Sequence, residues 1–139
     1  MSLYVFDTDT LTLYRQSHPA VARNIIKHLS DDLATTAINV EEQLSGWYTM
    51  LRRVKQPPDE ARAYQELADS VRLLATFLIL PYPVSAIARY EQLLTMKLQV
   101  RKMDLRIAAI VLEHQGVLVT RNARDFQRVP GLVIEDWTK

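Results

Sequence analysis

The sequence predicts an α/β fold in which a mainly parallel central sheet of about five strands is flanked by helices on both faces. Two observations lead to this prediction. Short apolar runs alternate along the chain with longer segments whose apolar residues recur at helical spacing. The 139 residues include 3 glycines and no linker, repeat or low-complexity stretch. We therefore expect a single domain over residues 1–139 in which helix predominates.

The first part of the chain predicts two strands and two helices. Residues 2–6 read as a buried strand, and Pro19 starts a helix because proline suits the first helical position. Residues 33–39, "LATTAIN", are apolar and β-branched and predict a second strand. A helix follows over residues 40–54, and Pro57-Pro58 is expected to end it.

The middle of the chain predicts two helices around a short strand. Asp59 is expected to cap the first of these helices. Its apolar stripe comprises Ala63, Leu67, Val71 and Leu74. Residues 77–80 predict the third strand, and Ser85 opens a helix that runs toward Met96.

The last part of the chain predicts a buried helix and two strands. Residues 105–112, "LRIAAIVL", are almost wholly apolar, so this helix is expected to be central. Gly116 is expected to end it in the left-handed conformation. Residues 117–120 predict the fourth strand, and "LVIEDW" at 132–137 predicts the fifth after a loop and a short helix.

Composition excludes several classes of protein. Cysteine is absent, which rules out disulfides and thiolate metal sites. The longest apolar run, residues 73–84, is too short to cross a bilayer, and no basic segment precedes the first acids as it would in a secretory signal. We therefore expect a soluble cytoplasmic protein that does not enter a membrane. The net charge of +1 does not by itself indicate a partner.

Acidic residues follow several of the predicted strands. Asp7 follows the first strand, Glu41 and Glu42 follow the second, and Asp125 follows the fourth. Asp104 begins the buried helix that leads into the fourth strand. In a parallel sheet the ligand site lies beyond the carboxyl ends of the strands, so these acids are candidates for one site. Each acid alone also has a structural explanation as a helix cap or a first-turn acid.

Acids that converge on one edge require a cation between them, because carboxylates repel one another. Oxygen ligands without cysteine favour Mg²⁺, with Mn²⁺ as the other possibility, over zinc. The 3 histidines are scattered and show no ligand spacing.

Three stretches carry a family pattern: "VFDTDTLT" at 5–12, "TAINVEEQLSGW" at 36–47 and "MDLRIAAIVLEHQGVLVTRNARDFQRVPGLVIEDW" at 103–137. In the last stretch an acid before "LRIAA", the strand end "LVTRN", the pair "DF" and the ending "GLVIEDW" occur in that order. With these motifs the chain resembles the PIN-domain family, and within it the VapC-type toxins of bacterial toxin–antitoxin pairs. The resemblance covers nearly the whole chain and implies a PIN-like three-layer α/β/α fold.

The resemblance implies four residues that are catalytic and hold the metal: Asp7, Glu42, Asp104 and Asp125. Glu42 matches because the family places its glutamate four residues before a glycine, here Gly46. The fourth position is looser, so Asn122 shares or replaces the role of Asp125. Thr8 and Asp9 match positions beside the site.

The resemblance further implies a Mg²⁺-dependent endoribonuclease in which metal-activated water cleaves single-stranded or loop RNA. Its products would carry a 5′-phosphate and a 3′-hydroxyl. An acidic pocket alone would repel RNA, so flanking cations are expected to hold the substrate backbone. The candidates are Arg101, Lys102, Arg106, Arg121 and Arg124.

The family pattern also implies partners. A VapC-type toxin is held inactive by a VapB-type antitoxin whose tail lies in a groove, and Trp47, Tyr48 and Leu51 are candidates to line it. The same three side chains are equally explained as core or dimer contacts. A homodimer, and a larger assembly with the antitoxin, are expected.

Three alternatives remain open. The first is a PIN nuclease that acts in RNA processing or decay outside a toxin–antitoxin pair. The second is a haloacid-dehalogenase-like phosphatase, in which Asp7 is the nucleophile and Asp9 the general acid–base. The third is a non-catalytic domain that binds protein only, which would show no stabilisation by a metal ion.

Overall fold

Residues 2–139, which are the residues that this computed structural model describes, form a five-stranded parallel sheet. The strands are β1 (Leu3–Phe6), β2 (Asp32–Thr36), β3 (Leu78–Leu80), β4 (Val117–Val119) and β5 (Val133–Glu135). Their order in the sheet is β3-β2-β1-β4-β5, and every neighbouring pair is parallel. This arrangement confirms the predicted fold class, and it places β1 at the centre of the sheet.

Seven helices connect and cover the strands in the described part of the chain. They are α1 (Thr8–Arg15), α2 (Pro19–Lys27), α3 (Ala37–Arg53), α4 (Pro57–Leu74), α5 (Val84–Thr95), α6 (Lys102–Glu113) and α7 (Ala123–Phe126). None of the helices in residues 2–139 combines the length and the apolar character needed to cross a membrane.

The strands send alternate side chains to two separate cores. Val5 and Leu118 pack on one face with α5 and α6, whereas Phe6 and Val119 pack on the other face with α1 and α2. This is the period-two alternation of a sheet that is buried on both sides. Helix α6 is the central helix of the first core, as predicted, with most of its residues buried.

Helix α3 begins earlier than the sequence analysis predicts. β2 ends at Thr36, and "AIN" belongs to α3 rather than to the strand. Thr36 and Asn39 form a capping box, in which each side chain binds the other residue's backbone N–H. The β-branched pair Thr35-Thr36 favours strand, and the cap that Thr36 provides fixes the boundary.

Two further helix starts differ from the prediction. Helix α1 was not among the predicted elements, and Asp7 is its N-cap. Pro57 does not break a helix but opens α4 at its first position, with Gln56 as the N-cap, so Asp59 lies in the first turn and does not cap it. Val71 of the predicted stripe is 49% exposed.

Gly116 is required for a different reason from the one predicted. The left-handed residue after α6 is Gln115, with φ 52°. Gly116 lies against β1, and a Cβ atom there would stand 3.2 Å from the carbonyl oxygen of Leu3. The glycine therefore permits close packing of the α6–β4 connection on the central strand.

Candidate active site

A cavity of about 680 Å³ opens at the carboxyl edge of the sheet, beside the ends of β1, β2 and β4. The first strand has β2 on one side and β4 on the other, so the strand order reverses here. This is the position at which parallel sheets bind ligands. The cavity is lined by Asp7, Thr8, Asp9, Thr12, Asn39, Glu42, Arg101, Asp104, Ile107, Arg121, Asn122 and Phe126.

Asp7 lies at the base of the cavity and is 8% exposed. Its Oδ1 accepts the Thr10 backbone N–H at 2.8 Å, and its Oδ2 accepts the Thr120 hydroxyl at 2.5 Å. Burial raises the pKa of this carboxyl above its ordinary value, although the hydrogen bonds from Thr120 and Thr10 oppose the shift. No ion pair within residues 2–139 includes Asp7. Among the described residues it is held by hydrogen bonds and not by an ion pair.

Asp104 and Glu42 share one guanidinium group. Arg101 donates from Nε and Nη2 to the two oxygens of Asp104, at 3.1 and 2.8 Å. The same Nη2 lies 3.5 Å from Oε2 of Glu42. Asp104 is in the first turn of α6, and Glu42 is in the second turn of α3, so Arg101 joins the two helices across the cavity.

A buried hydrogen-bond chain orients Glu42. Asn39, which has no exposed surface, donates from Nδ2 to the Thr8 hydroxyl at 3.0 Å. Thr8 in turn donates to Oε1 of Glu42 at 3.1 Å. The capping box of α3 thus continues into the site, because Asn39 belongs to both.

A second ion pair lies at the rim. Arg121 donates from Nε and Nη2 to the two oxygens of Asp9, at 2.6 and 3.1 Å. Asp125 is on α7 and is not among the residues that line the cavity. It accepts from Asn122 Nδ2 at 3.2 Å and pairs with Arg128 at 3.4 Å. Asn122 does line the cavity and so connects Asp125 to it.

The predicted cationic residues divide into two groups. Arg101 and Arg121 line the cavity, whereas Lys102, Arg106 and Arg124 do not. The guanidinium of Arg106 lies 4.8 Å from the ring centroid of Tyr90, which gives it a packing role on α6.

The donor set suits a hard divalent cation. The cavity is lined by four carboxylates and two guanidinium groups, so its formal charge is −2, and oxygen ligands of this kind favour Mg²⁺ or Mn²⁺. Among residues 2–139, no three histidine, aspartate or glutamate side chains are spaced as a metal-holding group. Two of the cavity's carboxylates are instead turned toward Arg101.

A groove leads away from this cavity along α3. A second cavity shares Thr8, Thr12 and Glu42 with the first, and it shares Trp47 and Met50 with a third cavity of about 750 Å³. The third cavity lies between α3 and α4, with Val54 and Ala63 in its walls. Trp47 therefore lies in the groove, whereas Tyr48 and Leu51 do not line any of these three cavities.

Comparison with known proteins identifies the family. A family model described as "PIN domain" matches residues 4–132. The chain belongs to the PIN-domain family. The matched part of this PIN domain contains all four acids that the sequence analysis selected, from Asp7 to Asp125.

Relatives of this PIN domain match it over the whole length. Ribonuclease VapC1 of Haemophilus influenzae strain R2866 is 26% identical over 144 residues, which cover 99% of each chain. A chain of VapBC-1 from nontypeable Haemophilus influenzae has a TM-score of 0.80 and 25% identity, with 99% of each chain covered. A chain of DNA-bound VapBC from Salmonella typhimurium has a TM-score of 0.79 and 23% identity, also with 99% covered. The PIN-like α/β/α fold is thus confirmed.

The phosphatase alternative loses its basis in this PIN domain. It requires Asp9 to act beside Asp7 as an acid–base group. The oxygens of Asp9 instead bind Arg121 in a two-point pair. The chain also belongs to the PIN-domain family and not to the haloacid-dehalogenase family that this alternative requires.

The sequence analysis missed the residues that hold the acids in place. Thr120 and Thr10 bind Asp7, and Asn39 supports Glu42 through Thr8. For Asn39 a signal was present in the sequence, since Thr36-x-x-Asn39 ahead of an apolar stripe resembles a capping pair. For Thr120 there was none, because its contact with Asp7 spans 113 residues.

Proposed function

We propose that this PIN domain is a metal-dependent endoribonuclease and the toxin of a VapBC-type toxin–antitoxin pair. The observation that supports it most is the cavity at the carboxyl edge of the sheet, where Asp7, Glu42 and Asp104 face one space. Asp7 is buried there with a raised pKa and forms no ion pair with another residue of the described range 2–139, so a bound cation would stabilise its charged form. The relatives named ribonuclease VapC1 support the same activity.

Asp7, Glu42 and Asp104 are the residues that would hold Mg²⁺ or Mn²⁺. Asp125, which is hydrogen-bonded to Asn122 in the cavity wall, would contribute through water or a second ion. When bound, the ion lowers the pKa of a water molecule and neutralises charge on the phosphoryl oxygens. The chain's own residues fix the geometry: Thr120 and Thr10 hold Asp7, and Thr8 holds Glu42. Fixed ligands of this kind favour the transition state because they need no reorganisation.

Arg101 and Arg121 are the cations placed to hold the RNA backbone, because both line the cavity. Their planar guanidinium groups match a phosphate with two donors. Single-stranded or loop RNA is the expected substrate, because its unpaired bases and exposed backbone can enter a cavity of about 680 Å³.

The activity is tested by incubating purified protein with total cellular RNA and mapping the cleavage sites. We expect cleavage in Mg²⁺ or Mn²⁺, none in EDTA, and a loss of at least about 100-fold in Asp7→Ala and Asp104→Ala, because each removes a proposed ligand. Glu42→Gln should also lose activity, and Glu41→Gln is its matched control, since Glu41 is exposed and does not line the cavity. Undiminished cleavage by Asp7→Ala and Asp104→Ala would refute the proposed site.

The groove along α3 is the proposed seat of the antitoxin. Its floor is apolar, with Trp47, Met50 and Val54, and it joins the acid cavity through Glu42. A VapB-type partner encoded beside this chain should co-purify with it and inhibit cleavage. Trp47→Ala should weaken that inhibition, whereas exposed Tyr48→Ala should not. A chain that cuts RNA without any such partner would instead be a nuclease of RNA processing or decay.

The resemblance to VapC-type toxins also implies that the chain forms a homodimer and that it forms larger assemblies with the antitoxin. Light scattering of the purified chain, alone and with the antitoxin, measures both.

A further inference from the structure

One side chain, Arg101, binds two of the carboxylates that the proposed function assigns to the metal. It makes two hydrogen bonds to Asp104 and lies within ion-pair distance of Glu42. The hydrogen bond to Asp104 raises the pKa of Arg101, and the negative charges of Asp104 and Glu42 add to the shift. The guanidinium therefore provides part of the positive charge that a divalent ion would bring to the same oxygens.

Arg101 and a metal ion compete for these oxygens. Each oxygen of Asp104 already accepts one N–H of this guanidinium, so an ion that binds either oxygen would lie at short range from Arg101. The two cations would also repel each other at such short range. With four carboxylates and two guanidinium groups, the cavity's formal charge of −2 equals the charge that one divalent ion cancels.

Arg101 is the partner that is free to move. Its side chain is 65% exposed, whereas that of Asp104 is 7% exposed. Arg101 is the N-cap residue of α6 and makes no side-chain cap, so its guanidinium can swing outward without disturbing the helix. Asp104, in the buried first turn of α6, stays where it is.

We infer that Arg101 is an internal counter-ion that a divalent metal displaces from Asp104 and Glu42, and that the displaced guanidinium then binds the phosphate of the substrate. This inference rests on the proposed nuclease function and adds a positioning role for one residue. A displaced Arg101 remains at the wall of the same cavity, where its fork of donors fits a phosphate. Metal binding thereby creates the substrate contact as well as the reactive centre.

The second arginine of the cavity, Arg121, is not a counter-ion that the metal displaces. It pairs with Asp9 at the rim and has no ion pair with Glu42 or Asp104 in the described chain. A metal at the acid pair leaves that rim contact intact, so only Arg101 is exchanged.

The inference is tested by Mn²⁺ titration of the full-length protein, followed by electron paramagnetic resonance without RNA. Arg101→Gln removes the competitor and should tighten Mn²⁺ binding about fivefold, the scale of a well-formed ion pair. Lys102→Gln is the control, because it removes the same charge one residue away from a side chain that does not line the cavity. It should change the Mn²⁺ affinity by less than about twofold.

A second measurement follows RNA cleavage at saturating Mn²⁺. Arg101→Gln should raise KM by about tenfold with a smaller change in kcat. Arg101→Lys should raise KM less, because lysine keeps the positive charge but lacks the paired donors of a guanidinium. Unchanged or weaker Mn²⁺ binding by Arg101→Gln, including the case in which the wild-type protein binds no Mn²⁺, overturns the inference. Tighter Mn²⁺ binding with an unchanged KM also overturns it, because the phosphate contact would then be missing. Failure of the wild-type protein to cut any RNA refutes the proposed function separately, since the Mn²⁺ titration needs no substrate.

Discussion

Asp7 combines two roles in one side chain, since it caps α1 and lies at the base of the acid cavity. The cap uses Oδ1, and Thr120 binds Oδ2, so both oxygens are held before any ion arrives. The cost of this arrangement is the burial of a negative charge. That cost lowers the stability of the metal-free protein when Asp7 is charged.

Asp7→Asn should stabilise the metal-free protein at neutral pH. The folded chain holds the Asp7 proton more tightly than the unfolded chain, because burial raises the pKa above its ordinary value of 3.8. Stability from this group is therefore greatest below that value and is lost as the pH rises through the folded-state pKa. Asparagine retains an oxygen for the α1 cap and carries no charge. Thermal melts in EDTA from pH 4 to pH 8 measure the effect.

The expected result is a variant that melts above the wild-type protein at pH 8 and approaches it at pH 4. Asp9→Asn is the control, because Asp9 is at the rim and already paired with Arg121. If Asp7→Asn melts below the wild-type protein at every pH, its hydrogen bonds outweigh the burial of its charge.

At the scale of elements, the start of α3 connects stability with the site. Asn39 closes the capping box with Thr36 and also binds Thr8, which holds Glu42. One buried amide thus fixes the boundary between β2 and α3 and the position of a proposed ligand.

Asn39→Ala should impair both properties together. Loss of the cap and of a buried hydrogen-bond partner should cost about 2 kcal/mol of unfolding free energy, and cleavage should fall by roughly tenfold because Glu42 loses its support. Denaturant unfolding and RNA cleavage rates measure the two effects. Thr49→Ala, at an exposed position of the same helix, should leave both nearly unchanged. A variant that loses stability and keeps full activity would show that Glu42 does not depend on this chain of hydrogen bonds.

The order and type of the elements were predictable from the sequence, and several boundaries were not. Apolar runs such as "LRIAAIVL" determine burial by composition alone, and α6 is indeed the central helix. The predicted start of α3 was too late because the β-branched residues of "TTAIN" favour strand, whereas the capping box of Thr36 and Asn39 starts the helix at Ala37. The role of Pro57 was also misjudged, since proline both ends and begins helices and only the neighbouring structure decides which.

The candidate acids were predictable because they follow strands and match a family pattern, whereas their supporting contacts were not. Thr120 reaches Asp7 only when β1 and β4 are paired, and Arg101 reaches Glu42 only when α3 and α6 are docked. A contact between distant segments leaves no periodic signal in either of them.

At the scale of the whole molecule, a divalent ion should stabilise the fold. Metal that binds the native cavity and not the unfolded chain adds about 2.7 kcal/mol at a concentration of 100 times Kd. We therefore expect Mn²⁺ to raise Tm by several degrees in the wild-type protein. Asp104→Asn should abolish most of that increase, whereas Asp31→Asn, far from the cavity lining, should retain it. Equal melting temperatures with and without Mn²⁺ would favour a non-catalytic, protein-binding role.

The central position of β1 has a consequence for biosynthesis. Strand β1, which Asp7 directly follows, is synthesised before its neighbour β4, and Thr120 binds Asp7 across 113 residues of chain. A nascent fragment that ends before residue 117 contains Asp7, Glu42 and Asp104 but cannot place Asp7 against Thr120. The acid pocket can therefore be assembled only after the segment that forms β4 has left the translating ribosome.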